Sequence, residues 1–379
     1  MSEYKLIATA TFGLESVVAK ELKKLGFKDL KIFNGGVEFS GDKEDICKCN
    51  LWLRSSDRVF IKLSEFRAKS FEELFQNIKS IEWNNFLCKD SCFPVYAKSI
   101  KSKLFSLSDI QSISKKAIVE SLKKTYNVEW FDESGYHFPI HVSILKDKAT
   151  VLADTSGEGL NRRGYRIEPV LAPLKENMAA ALILLSNWYP DKDLIDPFCG
   201  SGTIPIEAAM IARNIAPGLN RKFVSETWDF IPESVWKSVR KKAYSSMDLD
   251  TTLNIQGYDI DKRAIKAAKA NALEAGVGDS IHFQVRDVSE LSSSDKKGCV
   301  ITNPPYGERL ETKESSERLY SILGQRLMLL DNWSYFIITA HEHFESAFGI
   351  KADKNRKLYN GRIKSYYYQY FNKNRGGLI

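Results

Sequence analysis

Long apolar runs are missing from this chain. The longest, residues 178–185, falls far short of the roughly 20 residues a helix needs to cross a bilayer. The opening Met1-Ser2-Glu3-Tyr4-Lys5 leads into a short β-like run, with neither the basic start nor the apolar stretch of a secretory signal. A cytoplasmic protein with no membrane partner is therefore expected. Cysteine is scarce: the 6 thiols sit at irregular spacings, which excludes a disulfide framework and predicts free, mostly buried thiols. The pairs Cys47/Cys49 and Cys88/Cys92 do not match a common zinc spacing, and His341-Glu342-His343 has no third ligand in view, so no metal is expected. Internal repeats and low-complexity tracts are absent as well.

What is present fits an ordinary globular protein. The 379 residues, 43% hydrophobic and 27% charged, suit two or three compact units. A net charge of +7 biases the chain toward anionic partners. Its distribution says more. Lys98, Lys101, Lys103, Lys115, Lys116, Lys123 and Lys124 face only Asp109 and Glu120 over the same stretch. A second focus is Arg162-Arg163-Gly164-Tyr165-Arg166, and a third runs over residues 351–375. Each patch alone reads as a solvated face; three of them beside a base-handling motif point to nucleic acid. The expected contacts are Lys101, Lys103, Lys115, Lys116, Arg162, Arg163 and Arg166.

The first sixty or so residues alternate strand and helix signals, with Asn34-Gly35-Gly36 as a tight turn between two short strands. A second unit follows over about residues 70–154. Ser70-Phe71-Glu72-Glu73 and Ser108-Asp109-Ile110-Gln111 have the capping-box spacing that opens a helix. Residues 139–145 and 149–154 form an expected hairpin turning at Lys146-Asp147. The polar, Gly- and Arg-rich stretch 157–168 marks the main boundary. Beyond it, strands and longer helices alternate, the pattern of a mostly parallel sheet covered on both faces.

Two motifs in this second half carry chemistry. Asp196-Pro197-Phe198-Cys199-Gly200-Ser201-Gly202-Thr203 joins a strand to a helix, where ligands bind open α/β sheets. The glycines permit a tight turn and close backbone approach. A dinucleotide fingerprint needs a third glycine where Pro205 stands, and a P-loop needs a lysine that is absent. A strand-ending acid before Gly-Ser-Gly suits the amino group of S-adenosylmethionine. Asp259, ending the next strand, can accept both ribose hydroxyls, while Asp261 reads as the cap of the following helix. Asp287 and Val288 are placed for adenine, with a capping role for Asp287 equally open. The gap from Gly202 to Asp259, 259 − 202 = 57 residues, far exceeds the usual gap of about 20. Residues from about 214 to 252 are thus an insertion, with RNA contact and plain packing both open. Asn303-Pro304-Pro305-Tyr306 then supplies a stiff platform of acceptors for an exocyclic amine and an aromatic ring to stack on the base.

These residues resemble a known family. Residues 196–203, 257–261 and 303–309 are similar to the motifs of class I methyltransferases, and Leu160-Asn161-Arg162-Arg163-Gly164-Tyr165-Arg166 is similar to the linker of the THUMP-domain branch that acts on guanine N2 in RNA. Within that branch the chain resembles the N-terminal half of the bifunctional large-subunit rRNA enzyme and its stand-alone relatives. The resemblance implies a ferredoxin-like domain over residues 1–60, a THUMP RNA-binding domain over 45–155, a linker over 156–170 and a Rossmann-like, seven-stranded methyltransferase domain over 171–379. It implies S-adenosylmethionine as cofactor, held by Asn177, Asp196, Phe198, Cys199, Gly200, Ser201, Gly202, Thr203, Asp259, Ile260, Asp287, Val288 and Asn303. Catalysis falls to Asn303, Pro304, Pro305 and Tyr306. Structured RNA is the implied partner, 23S rRNA ahead of tRNA, with no obligate protein partner evident. The competing readings are DNA adenine-N6 methylation by the same tetrad and a non-catalytic RNA-binding factor. The basic module argues against the first and the intact Asn303 and Tyr306 against the second.

Overall fold

A computed structural model describes residues 3–167, 174–292, 297–305, 313–330, 332–361 and 363–372. The N-terminal half runs β1 (Tyr4–Thr9), α1 (Glu15–Lys24), β2 (Lys31–Phe33), β3 (Gly36–Gly41), α2 (Lys43–Trp52), β4 (Arg58–Arg67), α3 (Phe71–Lys79), β5 (Val95–Ile100), α4 (Leu107–Tyr126), β6 (Ile140–Leu145) and β7 (Lys148–Asp154). Its strands make one sheet in the order β2-β3-β1-β4-β7-β6-β5. The ten-residue strand β4 explains why: residues 58–61 pair with β1 and residues 60–67 with β7, so the two expected modules share a backbone ladder with no gap. Alternation along the strands puts Leu6, Ala8, Val59, Ile61, Val142 and Val151 on one face, in a common core with Val17, Leu22, Ile46, Leu74 and Ile118 of the helices. Local signals largely hold. The Ser70 hydroxyl accepts from the Glu73 N–H, and Asp42 with Asp45 forms a full capping box on α2. Helix α4 departs from expectation: it opens at Leu107, and neither Ser106 nor the Ser108 box caps it through a side chain.

The second half continues α5 (Glu176–Leu185), β8 (Asp193–Asp196), α6 (Thr203–Ala212), α7 (Glu233–Ser245), β9 (Ile255–Asp259), α8 (Lys262–Glu274), β10 (Ile281–Val285), β11 (Gly298–Thr302), α9 (Lys313–Met328), β12 (Trp333–Thr339), α10 (Phe344–Phe348), β13 (Lys354–Asn360) and β14 (Ile363–Tyr370). The sheet order is β10-β9-β8-β11-β12-β14-β13, parallel as far as β12, with β14 antiparallel to both of its neighbours. The chain builds outward from β8 through β9 and β10, then returns to add β11 on the other side. The switch point between β8 and β11 is where such a sheet opens a crevice at its carboxyl edge.

Residues 214–252 are an interdomain brace. The Trp228 indole N–H donates to the His137 carbonyl at 2.7 Å, Gly218 N–H to Leu51 O at 3.0 Å, and Lys242 pairs with Glu44 at 2.6 Å. Trp228 and Trp236 are buried, so both indoles serve packing.

Two of the linker arginines expected at RNA, Arg163 and Arg166, turn inward instead. Arg163 is 2% exposed; its guanidinium forks onto Glu207 of α6 at 3.2 and 3.4 Å and donates to the carbonyls of Leu160 and Arg54. The Tyr165 hydroxyl donates to the same carboxylate at 3.2 Å. A cation locked between the two halves of the molecule has no reach to RNA; it fastens α6 to the N-terminal unit. Breaking a buried pair from one side strands the other charge. Glu207→Ala is expected to cost about 3–5 kcal/mol, read as a lowered urea midpoint, and Glu207→Gln less. An unchanged midpoint for Glu207→Ala would remove the pair from the stability of the interface.

Candidate active site

The carboxyl edge at the switch point holds a cavity of about 960 Å³. Asp196, Phe198, Cys199, Gly200, Ser201, Thr203, Asp259, Ile260, Asp287, Val288, Asn303 and Pro305 all line it. The two motifs, a hundred residues apart in sequence, meet because β8 and β11 are paired neighbours. Their ends are tied directly: the Thr302 hydroxyl at the end of β11 donates to Asp196 Oδ1 at the end of β8, 2.6 Å away.

Asp196 is 1% exposed and accepts a second hydrogen bond from the Phe198 N–H at 3.2 Å. Burial pushes its pKa up to about 7, against the pull of these two donors. Asp259 closes the glycine turn: its Oδ2 accepts from Gly200 N–H and its Oδ1 from Asp261 N–H, both at 2.9 Å. Each carboxylate oxygen keeps a second acceptor site for a ligand hydroxyl. Asp261 caps α8 through Arg263 N–H at 2.8 Å, as its position predicts. Asp287 caps Ser289 N–H at 2.7 Å and also lines the cavity; the hydrogen bonds from Ser289 hold its pKa below the ordinary value.

The two glycines of the turn divide the work. Gly200 has φ +53 with open space where a Cβ would stand, so its backbone is bare toward the cavity. Gly202 has φ +83, and a Cβ there would meet Ala268 and Phe283 at 3.0 Å; it serves packing of the turn on the sheet and α8 and does not line the cavity.

Asn177, expected at the cofactor, lies elsewhere. It is 1% exposed and its amide donates to Asp57 of the N-terminal unit at 2.8 Å, away from the cavity lining. Leu174, just before α5, reaches the cavity instead. Arg166 is redirected too. Its guanidinium donates to Glu176 at 2.9 Å, Ser201 Oγ at 2.8 Å, Thr203 Oγ1 at 3.1 Å and the Leu174 carbonyl at 3.2 Å. With its donors spent on the glycine turn, it is a positioning residue for that turn and not an RNA contact. Lys115 is likewise engaged, with Glu133 at 2.6 Å and the Phe93 carbonyl at 3.0 Å. Lys101, Lys103, Lys116 and Arg162 stay exposed, and their charged groups make no ion pair among the described residues.

Asn303 ends at the cavity with its Oδ1 buried and without a hydrogen-bond partner among the described residues. Pro304 is buried behind it, and the carbonyl of Pro305 accepts from the Tyr320 hydroxyl of α9 at 3.0 Å. Tyr306 lies outside the described residues. The sequence reading missed Tyr320, Arg263, Lys266 and Arg286, which line or brace the site from surface-looking positions. For Arg286 a signal existed: it directly precedes Asp287 at the end of a strand. Among the described residues no group of three metal-ligating side chains comes together.

The donor set fits S-adenosylmethionine. The cavity has the volume of a nucleoside-sized ligand site, ionisable acceptors at Asp196 and Asp259, and apolar surface at Val288 and Ile260. Ile260, at 71% exposure, is an aliphatic side chain left bare beside a polar cavity, as a ring-stacking residue is before its ligand arrives.

Comparison with known proteins decides the family. The family described as "RMKL-like, methyltransferase domain" matches residues 163–369. The chain belongs to that methyltransferase family. Ahead of this domain, the "RlmL ferredoxin-like domain" matches residues 5–60 and the THUMP domain residues 68–154. A Bacillus subtilis (strain 168) protein named "Putative RNA methyltransferase YpsC" is 48% identical over 375 residues, 98% of this chain and 97% of its own. The crystal structure of "SMU.472, a putative methyltransferase complexed with SAH" is 47% identical, superposes with a TM-score of 0.94 and covers 98% of this chain and 99% of its own. A Listeria monocytogenes str. 4b F2365 protein, named "a predicted N6-adenine-specific DNA methylase", is 48% identical at a TM-score of 0.94, over 98% of this chain and 97% of its own. The fold and the family therefore agree. Among the described residues no helix is long and apolar enough to cross a membrane.

Two outcomes follow from this geometry. The Asp196 pKa, raised in the protein above its ordinary value, means that the carboxyl is neutral below about 7 and ionised above it. If Asp196 receives the ligand's ammonium, affinity for S-adenosylhomocysteine should climb by up to roughly tenfold per unit as pH approaches about 7 and level off above it. Asp196→Asn should flatten that profile in calorimetric titrations, and a wild-type profile already flat would refute the coupling. Arg166→Ala should weaken the same ligand by about tenfold, since charged hydrogen bonds of roughly 1.5–3 kcal/mol hold the turn; an unaltered Kd would remove Arg166 from the site's support.

Proposed function

We propose that the protein transfers a methyl group from S-adenosylmethionine to the exocyclic N2 of a guanine in structured RNA, with 23S rRNA the favoured substrate and tRNA the nearest alternative. The carrying observation is the buried Asn303 Oδ1 at the cavity, an acceptor without a donor among the described residues. A buried acceptor left unpaired costs on the order of 1–3 kcal/mol, and an incoming amine N–H supplies what it lacks. When bound, S-adenosylmethionine supplies an electrophilic methyl group on its sulfonium. Asp196 would hold its ammonium, Asp259 its ribose, and Ile260, Val288 and Asp287 its adenine. Asn303 Oδ1 and the Pro304 carbonyl would take the two N–H bonds of the base amine, and the nitrogen lone pair is then aimed by position alone. The proline pair keeps these acceptors from relaxing away.

The choice of RNA rests on the domains that precede the catalytic one, on the exposed Lys101, Lys103, Lys116 and Arg162, and on the name of the Bacillus subtilis relative. The name of the Listeria relative favours a second reading, methylation of adenine N6 in DNA. Labelled methyl transfer to total RNA and DNA from a strain lacking the protein, followed by nucleoside analysis, separates the two. N2-methylguanosine in RNA is expected; N6-methyladenine in DNA would reverse the substrate. Asn303→Ala should abolish transfer while leaving S-adenosylhomocysteine affinity within a few fold, and retained transfer would sink the assigned role.

A further inference from the structure

A second cavity, of about 510 Å³, opens at the seam between the two halves of the molecule. Its walls come from four places: Thr11 after β1, Asp57 and Arg58 at the start of β4, the linker residues Glu158, Gly159, Asn161 and Arg162, and Lys175 with Gly361 from the catalytic domain. We propose that this seam cavity binds a backbone phosphodiester of the RNA substrate beside the base being modified, through Arg162 and Lys175. The assignment rests on the RNA reading above.

Arg162 and Lys175 are exposed, and neither charged group has a hydrogen-bond or ion-pair partner among the described residues. Of the acids in the wall, Asp57 is already engaged: its oxygens accept from Asn177 at 2.8 Å and Thr11 at 3.4 Å. Glu158 is the other negative group; Arg58 is already paired with Asp154 at 2.5 Å, which leaves Arg162 and Lys175 as the cations open to a ligand. The linker wall is set in advance. From behind it, the Arg221 guanidinium donates to the carbonyls of Glu158 at 2.8 Å, Arg162 at 2.9 Å and Gly159. Burial lowers the Arg221 pKa only to about 10, so it stays charged at neutral pH and adds positive potential behind the loop. A wall held before the ligand arrives loses little ordering entropy on binding.

Position supplies the rest. Leu174 lines the methyl-transfer cavity and the next residue, Lys175, lines the seam cavity. A base drawn out of its stack into the first cavity drags its own backbone across the mouth. The phosphate beside it then passes the seam, where cations are waiting. Phosphate contacts of this kind fix register without reading sequence.

The test is RNA binding measured across a salt series without methyl donor, on wild type, Arg162→Glu, Arg162→Gln, Lys175→Glu and a control, Lys20→Glu, on the exposed side of α1. The seam variants should raise the RNA Kd about tenfold at low salt and reduce the slope of log K against log salt by roughly 0.7–0.9 for each phosphate that is no longer neutralised. S-adenosylhomocysteine affinity should stay within twofold in all of them, which certifies folding, and Lys20→Glu should match wild type. An unchanged Kd and slope in both seam positions overturns the subsite, whichever nucleoside the enzyme methylates. Inorganic phosphate that binds wild type but not Arg162→Gln, yet leaves the RNA Kd no different from chloride at equal ionic strength, would assign the cavity to free phosphate and also overturn it. The identity of the methylated nucleoside is read separately, so failure of the RNA reading shows on its own.

Discussion

The pairing of β8 with β11 is the constraint on which the site depends. Neither motif is a site by itself: the glycine turn is a strand-to-helix connection, and the Asn-Pro-Pro segment is a stiff loop. Parallel pairing at the switch point puts their carboxyl ends side by side, and the Thr302 hydroxyl joins the second strand to Asp196 on the first at 2.6 Å. That hydrogen bond gives a buried carboxylate a donor while leaving lone pairs for a ligand. It also holds the end of β11 in register with the end of β8. A shift of one residue in either strand would turn Asp196 or Asn303 away from the crevice.

Around this junction the molecule uses its polar groups to hold parts still. Arg166 steadies the glycine turn, Asp259 closes it, Tyr320 supports the carbonyl of Pro305, and Arg163 with Glu207 fastens the first helix after the turn to the N-terminal unit. The insertion 214–252 extends the same bracing across the domain seam. The two halves are therefore not a catalytic unit with a loosely tethered binding module. The buried Arg163–Glu207 pair, the Trp228 indole hydrogen bond and the β13 strand, where Arg356 donates to the Gly13 carbonyl at 3.1 Å, fix their relation.

Most of the fold was legible in the sequence because its signals are local. Alternation, capping residues such as Ser70 and Asp261, and turns at Asn34-Gly35 and Lys146-Asp147 depend on neighbours a few residues away. The cavity-lining residues of the two motifs were legible for the same reason, since a strand end and a glycine turn announce themselves. What escaped was set by tertiary partners. Arg163 and Arg166 look like any basic linker until Glu207, Glu176 and Ser201 are folded against them, and Asn177 looks like a cofactor contact until Asp57 arrives from 120 residues away. The shared sheet was hidden likewise: nothing local in β4 says that it pairs with both β1 and β7.

The central claim is that one crevice presents the methyl donor on the β8 side and the amine acceptors on the β11 side. A crystal structure with S-adenosylhomocysteine and a short RNA bearing the target guanine addresses it directly. The account predicts the cofactor product across Asp196, Asp259 and Asp287, and the guanine N2 within hydrogen-bond distance of Asn303 Oδ1, about 2.9 Å. A cofactor bound outside this crevice, or a base whose amine points away from Asn303, would contradict it.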